Sequence, residues 1–165
     1  MSGGRHQAFP ARGHDHGSCI DQAMANAAAV CAERGARLTV LRRRVLEILW
    51  RSHRPLGAYE ILEVLSREGR SSAPPTVYRA LDFLLGNGLV HRIASRNAYV
   101  GCSRPGHSDA GQFLICEACG VAAEVNNAQL EQAIGSTAES VDFAASEHTV
   151  EISGRCPNCR RDRAS

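Results

Sequence analysis

Helical periodicity governs the first half of the chain and gives way to short, strand-like alternation in the second. An Ala-rich stretch, 21–34, reads as a helix that Gly35 terminates. Thr39 is a suitable N-cap, and Leu41, Val45, Leu46 and Leu49 recur beyond it at helical spacing. Pro55 and Gly57 break the chain, and a short helix at 58–67 gathers Ile61, Leu62 and Leu65 on one face. After the loop 70–73, Pro74 and Pro75 open the next helix, because Pro fits the first helical turn. That helix runs through Leu81, Leu84 and Leu85 to Gly88. Two apolar strands, 89–94 and 98–101, flank the turn Ser95-Arg96-Asn97. The last three of these helices, followed by the hairpin, describe a winged helix-turn-helix.

Polar segments divide the rest. Residues 1–20 are rich in Gly, His, Arg and Ser and read as a disordered tail, leaving 21–101 as the winged-helix domain. Residues 102–112, with Gly and Pro, read as a hinge. Beyond it, 113–116 and 121–125 look like strands, 127–140 like a helix and 148–153 like a third strand. The fold class is therefore α+β, with 113–165 as a small second domain. That domain has few large apolar residues and would gain from a metal staple or a dimer partner.

Composition sharpens this picture. With 165 residues, 44% apolar and 22% charged, the chain can build a packed core. No apolar run approaches the roughly 20 residues of a membrane helix. The N-terminus also lacks an apolar segment of secretory length, so a cytoplasmic protein without a membrane partner is expected. The formal charge of +2 conceals an asymmetry: residues 1–100 hold 14 Arg against 8 acids, and 101–165 hold 5 Arg against 9 acids. All 19 basic residues are Arg. A basic half suits a phosphate backbone, although Arg can also simply coat a solvated face.

Seven cysteines are present, and four form two CxxC pairs, Cys116/Cys119 and Cys156/Cys159, separated by 36 residues. Each pair turns two sulfurs toward one point, and two pairs complete a tetrahedral thiolate shell for Zn²⁺. A redox CxxC needs a thioredoxin-like βαβ setting, and a zinc deaminase needs an HxE motif; neither is found. A closed four-cysteine site stabilises a fold and performs no chemistry. Nothing supplies a base, a nucleophile and an open metal position together, so a thiol-redox enzyme or zinc hydrolase is disfavoured and a non-enzyme is expected.

Helix 74–88 contains Pro74-Pro75-Thr76-Val77-Tyr78-Arg79-Ala80-Leu81-Asp82-Phe83-Leu84, which resembles the recognition helix of the ferric-uptake-regulator family. The stretch Arg37-Leu38-Thr39, the helix from Tyr59 to Leu65 and the paired CxxC agree with that resemblance, which covers about residues 25–160. It implies a dimeric, metal-dependent repressor: a winged-helix domain hinged to a dimerisation domain, acting on double-stranded operator DNA. On physical grounds Arg79 can bond a guanine edge or a phosphate, and the Tyr78 ring can meet a thymine methyl. Thr76 is a further candidate contact. Arg42, Arg43, Arg44 and Arg51 are candidates for phosphate contacts, with a solvated face as the plain alternative.

The resemblance also implies a second metal site at the hinge, held by His91, Cys102, His107 and Glu124, with Asp109 as a rival to His107. One thiolate, two imidazoles and a carboxylate suit Zn²⁺ rather than Fe²⁺ or Mn²⁺. A third position is implied at Glu131 and His148, with Asp109 or His107; Glu131 as plain surface is the alternative. Cys31, on the Ala-rich helix, reads as a buried thiol. The expected function is a zinc-responsive repressor of zinc-uptake genes on an inverted-repeat operator, with one structural and at least one regulatory zinc per chain. The alternative is a sibling sensor of iron, manganese, nickel or peroxide.

Overall fold

The computed structural model describes residues 8–11, 13, 15–106 and 111–162. His107 and Asp109 lie outside them. Four helices come first: α1 (His16–Glu33), α2 (Val40–Trp50), α3 (Ala58–Arg67) and α4 (Pro74–Gly86). Local chemistry sets their ends. Thr39 Oγ1 accepts from the Arg42 N–H at the start of α2, and Glu60 reaches back to the Gly57 N–H at 2.7 Å to cap α3. The first helix starts five residues before the expected Asp21, inside the stretch read as tail. Asp15 caps it, accepting from the Gly17 N–H at 2.8 Å. Gly35 ends it at φ +62, a left-handed conformation suited to glycine.

The hairpin follows as β1 (Val90–Ile93) and β2 (Ala98–Gly101), paired from Val90↔Gly101 to Ile93↔Ala98. The turn between them is a 3-10 turn, Ala94–Arg96, closed by Asn97 at φ +46. Leu56 and Tyr99 exchange backbone hydrogen bonds of 2.9 and 2.8 Å, tying the α2–α3 connection to the wing. The core of this half interleaves Val45, Leu46, Ile48 and Leu49 of α2 with Ile61 and Leu65 of α3 and Val77, Leu81 and Leu84 of α4. Cys31 is buried in it, as expected.

A three-stranded sheet, ordered β4-β3-β5, forms the second half. The central strand β3 (Gly111–Cys116) runs antiparallel to β4 (Ala122–Val125) and parallel to β5 (Thr149–Gly154). A parallel pair needs a crossover, and α5 (Ala128–Glu139) supplies it. The strand β3 starts two residues earlier than expected. Gly111 pairs with Thr149 of β5, and the position suits glycine because a Cβ there would stand 2.2 Å from the Phe113 ring. A short helix, α6 (Pro157–Arg161), follows the second CxxC, and the hydrophobic pattern alone does not announce it.

A second apolar cluster crosses between the halves. Ile93 and Val100 of the wing pack with Phe113, Ile115 and Ala122 of the sheet. By contrast α5 buries no side chain, and Val141, Phe143 and Ile152 are exposed. Among the described residues no helix is long and apolar enough to cross a membrane.

Candidate metal centre

The two CxxC pairs converge. Cys116 ends β3, Cys119 lies in the turn after it, and Cys156 and Cys159 bracket the start of α6. Their four Sγ atoms lie within 4.8 Å of one another, with Cys119 and Cys156 at 3.8 Å. Burial opposes ionisation of Cys116, but the N–H groups of Cys156, Cys119 and Ala118 outweigh it and draw the thiol down to about 6. Cys159 is pushed up to about 12, because its protons and lone pairs are shared with Cys156 and Cys119. Thiolates this close oppose one another's ionisation, and a cation among them relieves that repulsion. The donor set and its geometry fit zinc.

A second group forms at the boundary of the halves. His91 stands on β1, Cys102 directly follows β2, and Glu124 stands on β4 opposite Phe113. One ligand atom from each lies within 4.8 Å of the others. The Cys102 N–H bonds Leu89 O at 3.0 Å, which fixes the thiol beside the start of β1. Glu124 is anchored from the linker: its Oε2 accepts from the Ser103 N–H at 2.9 Å and the Ser103 hydroxyl at 2.6 Å. The His91 ring meets Phe113 edge-on, with centroids 5.1 Å apart.

The electrostatics of this group favour a cation. Burial disfavours the His91 imidazolium, but Cys102 and Glu124 outweigh it and raise the ring to about 9. Burial likewise opposes the Glu124 carboxylate, and His91 and Ser103 overcome it, holding it near about 2. His91 Nε2 lies 3.2 Å from Glu124 Oε1, an ion-pair distance, yet no aligned hydrogen bond serves this buried nitrogen. A buried polar atom left so is costly. Thiol, imidazole and carboxylate around an under-satisfied nitrogen fit Zn²⁺.

Of the third set, Glu131 and His148 meet at 3.1 Å, and the buried Gln112 donates to the same Glu131 oxygen at 3.2 Å. Asp109, the other member of that set, falls outside the described residues. Two ligands alone do not make a metal shell.

The candidate DNA contacts divide by their partners. On α4, Val77, Ala80, Leu81 and Leu84 face the core, while Arg79 is exposed and Tyr78 is 39% exposed. Arg79 rests on Thr76 Oγ1 at 3.4 Å, and Arg43 points outward. Arg42 and Arg44 are committed within the fold. The Arg42 guanidinium stacks 3.6 Å over the Phe83 ring and donates to Arg37 O at 2.6 Å. Arg44 grips Glu68 with two nitrogens and Glu47 with a third donor contact at 2.6 Å, and Arg51 reaches Glu68 at 3.3 Å. Ser103 and Gln112 were not singled out by sequence reasoning, since a lone Ser or Gln carries no spacing signal.

A winged helix with an exposed reading helix, a four-cysteine cluster and a His/Cys/Glu group at the boundary between them define a metal-binding, winged-helix protein. Residues 33–153 match the Ferric uptake regulator family, and the chain belongs to it. The zinc uptake regulation protein of Escherichia coli (strain K12) is 37% identical over 139 residues, 82% of this chain and 80% of that protein. A solved zinc uptake regulator complexed with zinc and DNA superposes with a TM-score of 0.80 at 34% identity, over 88% of this chain and 98% of that one. The holo form of XcZur gives 0.78 at 36% identity, over 86% and 99%, whereas its apo form gives 0.51 at 37%, over 86% and 97%. Sequence distance is nearly the same in that pair. This chain is thus more similar in structure to the holo form than to the apo form.

Proposed function

We propose that this chain is a zinc-responsive transcriptional repressor that binds an inverted-repeat operator as a homodimer and governs zinc-uptake genes. The observation that carries the reading is the meeting of His91 and Cys102 from the wing with Glu124 from the C-terminal sheet. Zinc, when bound, would supply a Lewis-acidic centre that ties the two halves through these side chains. The winged-helix half, through Gly101, reads DNA, the linker after it acts as the hinge, and the C-terminal half from Gly111 dimerises and carries Cys116, Cys119, Cys156 and Cys159 for a structural zinc. His107 is the proposed fourth ligand of the regulatory group. Thr76, Tyr78 and Arg79 enter the major groove, and Arg43 contacts phosphate.

Because the three ligands come from both halves, they converge only when the hinge is closed, and ligation selects that state. Closure sets the spacing of two recognition helices to two half-sites. By linkage, DNA tightens metal binding as much as metal tightens DNA, by about 1–3 kcal/mol per coupled site. The exposed apolar residues Val141, Phe143 and Ile152 suit a dimer face. The chain acts in the cytoplasm and is not an enzyme, in keeping with its membership of a family of regulators.

The test is DNA binding against buffered free zinc, iron and manganese at one fixed salt concentration, because phosphate contacts make affinity salt-dependent. Half-maximal binding at the lowest free concentration for zinc supports the reading. Preference for iron or manganese assigns the chain to a sibling sensor.

A further inference from the structure

A side chain outside both metal groups also joins the halves. Glu151 lies on β5, in register with Phe113 of the central strand, and its half-buried carboxylate leaves the sheet to reach the wing. Glu151 Oε1 accepts from the Ala94 N–H at 2.6 Å, and Oε2 accepts from the Ser95 N–H at 3.1 Å. These N–H groups open the 3-10 turn, and the first donors of such a turn have no partner within it. Burial raises the cost of the Glu151 charge, but Ser95 and the two N–H groups outweigh it and hold the carboxyl below its usual range.

The placement is informative. Among the described residues, polar side chains hold the hairpin to the sheet at its base and at its tip. At its base, His91 and Cys102 face Glu124; at its tip, Ala94 and Ser95 are gripped by Glu151. Between them lies the apolar cluster of Ile93, Val100 and Phe113. The tip contact needs no metal, yet it forms only when the wing lies against the sheet.

We propose that Glu151 is a positioning residue that latches the wing to the C-terminal sheet and so sets the free zinc concentration at which the chain binds DNA. This rests on the zinc-responsive reading above. The latch favours the closed hinge before any ligand is engaged. Removing it lowers the closed fraction, and apparent affinity falls by that fraction while the ligands themselves are unchanged.

The experiment titrates operator binding of the full chain against buffered free zinc for the wild type, Glu151→Ala and Glu151→Gln. Amide hydrogen exchange at Ala94 and Ser95 is followed alongside. Glu151→Ala should need about tenfold more free zinc, reach the same binding at saturation and lose protection at both amides; tenfold corresponds to about 1.4 kcal/mol. Glu151→Gln keeps an acceptor and should fall between, and it serves as the folded variant should Ala destabilise the sheet. A purely structural role would lower Tm and leave the zinc midpoint in place. An unmoved midpoint in both variants, with the wild type zinc-dependent, overturns the latch and leaves the regulatory reading standing. Wild-type binding indifferent to zinc overturns that reading, and the latch with it.

Discussion

His91 Nε2 and Glu124 Oε1 stand 3.2 Å apart across the boundary between the wing and the C-terminal sheet. When the hinge closes without metal, this pair would tie the halves by charge. His91 is raised from 6.5 to about 9, so its contribution is complete below about 6.5 and is lost as pH rises through about 9. Glu124 is lowered from 4.5 to about 2, so its contribution is complete above about 4.5 and is lost as pH falls toward about 2. Closure of the metal-free chain should therefore be strongest between about pH 4.5 and 6.5. Zinc competes with the His91 proton, so apparent zinc affinity should weaken steadily as pH is lowered from about 9. Titrating the His91 ring by NMR, with and without zinc, checks both statements; a ring that titrates near 6.5 without metal refutes them.

Cys102→Ser replaces a thiolate with a poor zinc ligand while the fold around it stays polar and small. Zinc-dependent DNA binding should drop at least about tenfold, and one tightly held zinc and the dimer should persist. Zinc content, mass in solution and operator binding measured together decide this. Retained zinc-dependent repression in cells counts against the assignment.

Cys119→Ser should behave otherwise. The four-sulfur shell is the staple of a sheet with a sparse core, and structural zinc in small domains is worth about 10–16 kcal/mol. The variant should lose its retained zinc, expose the C-terminal sheet to proteolysis and lose the dimer. Intact, zinc-free dimers would show that the cluster does not hold this domain together.

The arginines of the DNA-binding half should separate into two groups. Arg42→Ala removes the cation–π contact on Phe83, worth about 0.5–1 kcal/mol, and should lower Tm. Arg44→Ala leaves Glu68 without its main partner and should also lower Tm. Arg79→Ala and Arg43→Ala should leave Tm near that of the wild type. They should weaken operator binding and reduce its salt dependence by about one ion per lost phosphate contact. Equal losses of stability across all four would erase the distinction.

Gly101→Ala probes the wing base. A Cβ there would stand 2.3 Å from Trp50 Nε1, so the indole or the strand must move. The displaced strand carries Cys102 as its next residue. We expect a loss of about 1–3 kcal/mol of stability, by overpacking, together with weaker zinc-dependent DNA binding. Chemical denaturation and the zinc titration report the two effects separately.

Much of the architecture was legible because its signals are local. The helix at 58–67 was expected where it lies, since Pro55 and Gly57 break the chain before it and Ile61, Leu62 and Leu65 share one face. The start of α1 was hidden because Gly17 and Ser18 look like loop residues, while the Asp15 cap and the packing of Ile20 make them helix. The convergence of the four cysteines followed from knuckle geometry. The meeting of His91, Cys102 and Glu124 was implied by family resemblance, not by spacing, since they lie on three separate strands or their ends.

The sequence by itself determined the Thr39 cap, the helical faces, the paired CxxC and the opposite charge of the two halves, because each depends on residues close in the chain. Only the tertiary structure decided which arginines remain available. Whether Arg44 meets a phosphate or Glu68 depends on an acid 24 residues away. It also decided the latch, since Glu151 reaches Ala94 across 57 residues, and the setting of His91, whose charge is tuned by a thiol and a carboxylate from other elements. Such contacts follow from how strands and helices pack, and packing is a property of the whole chain rather than of any segment of it.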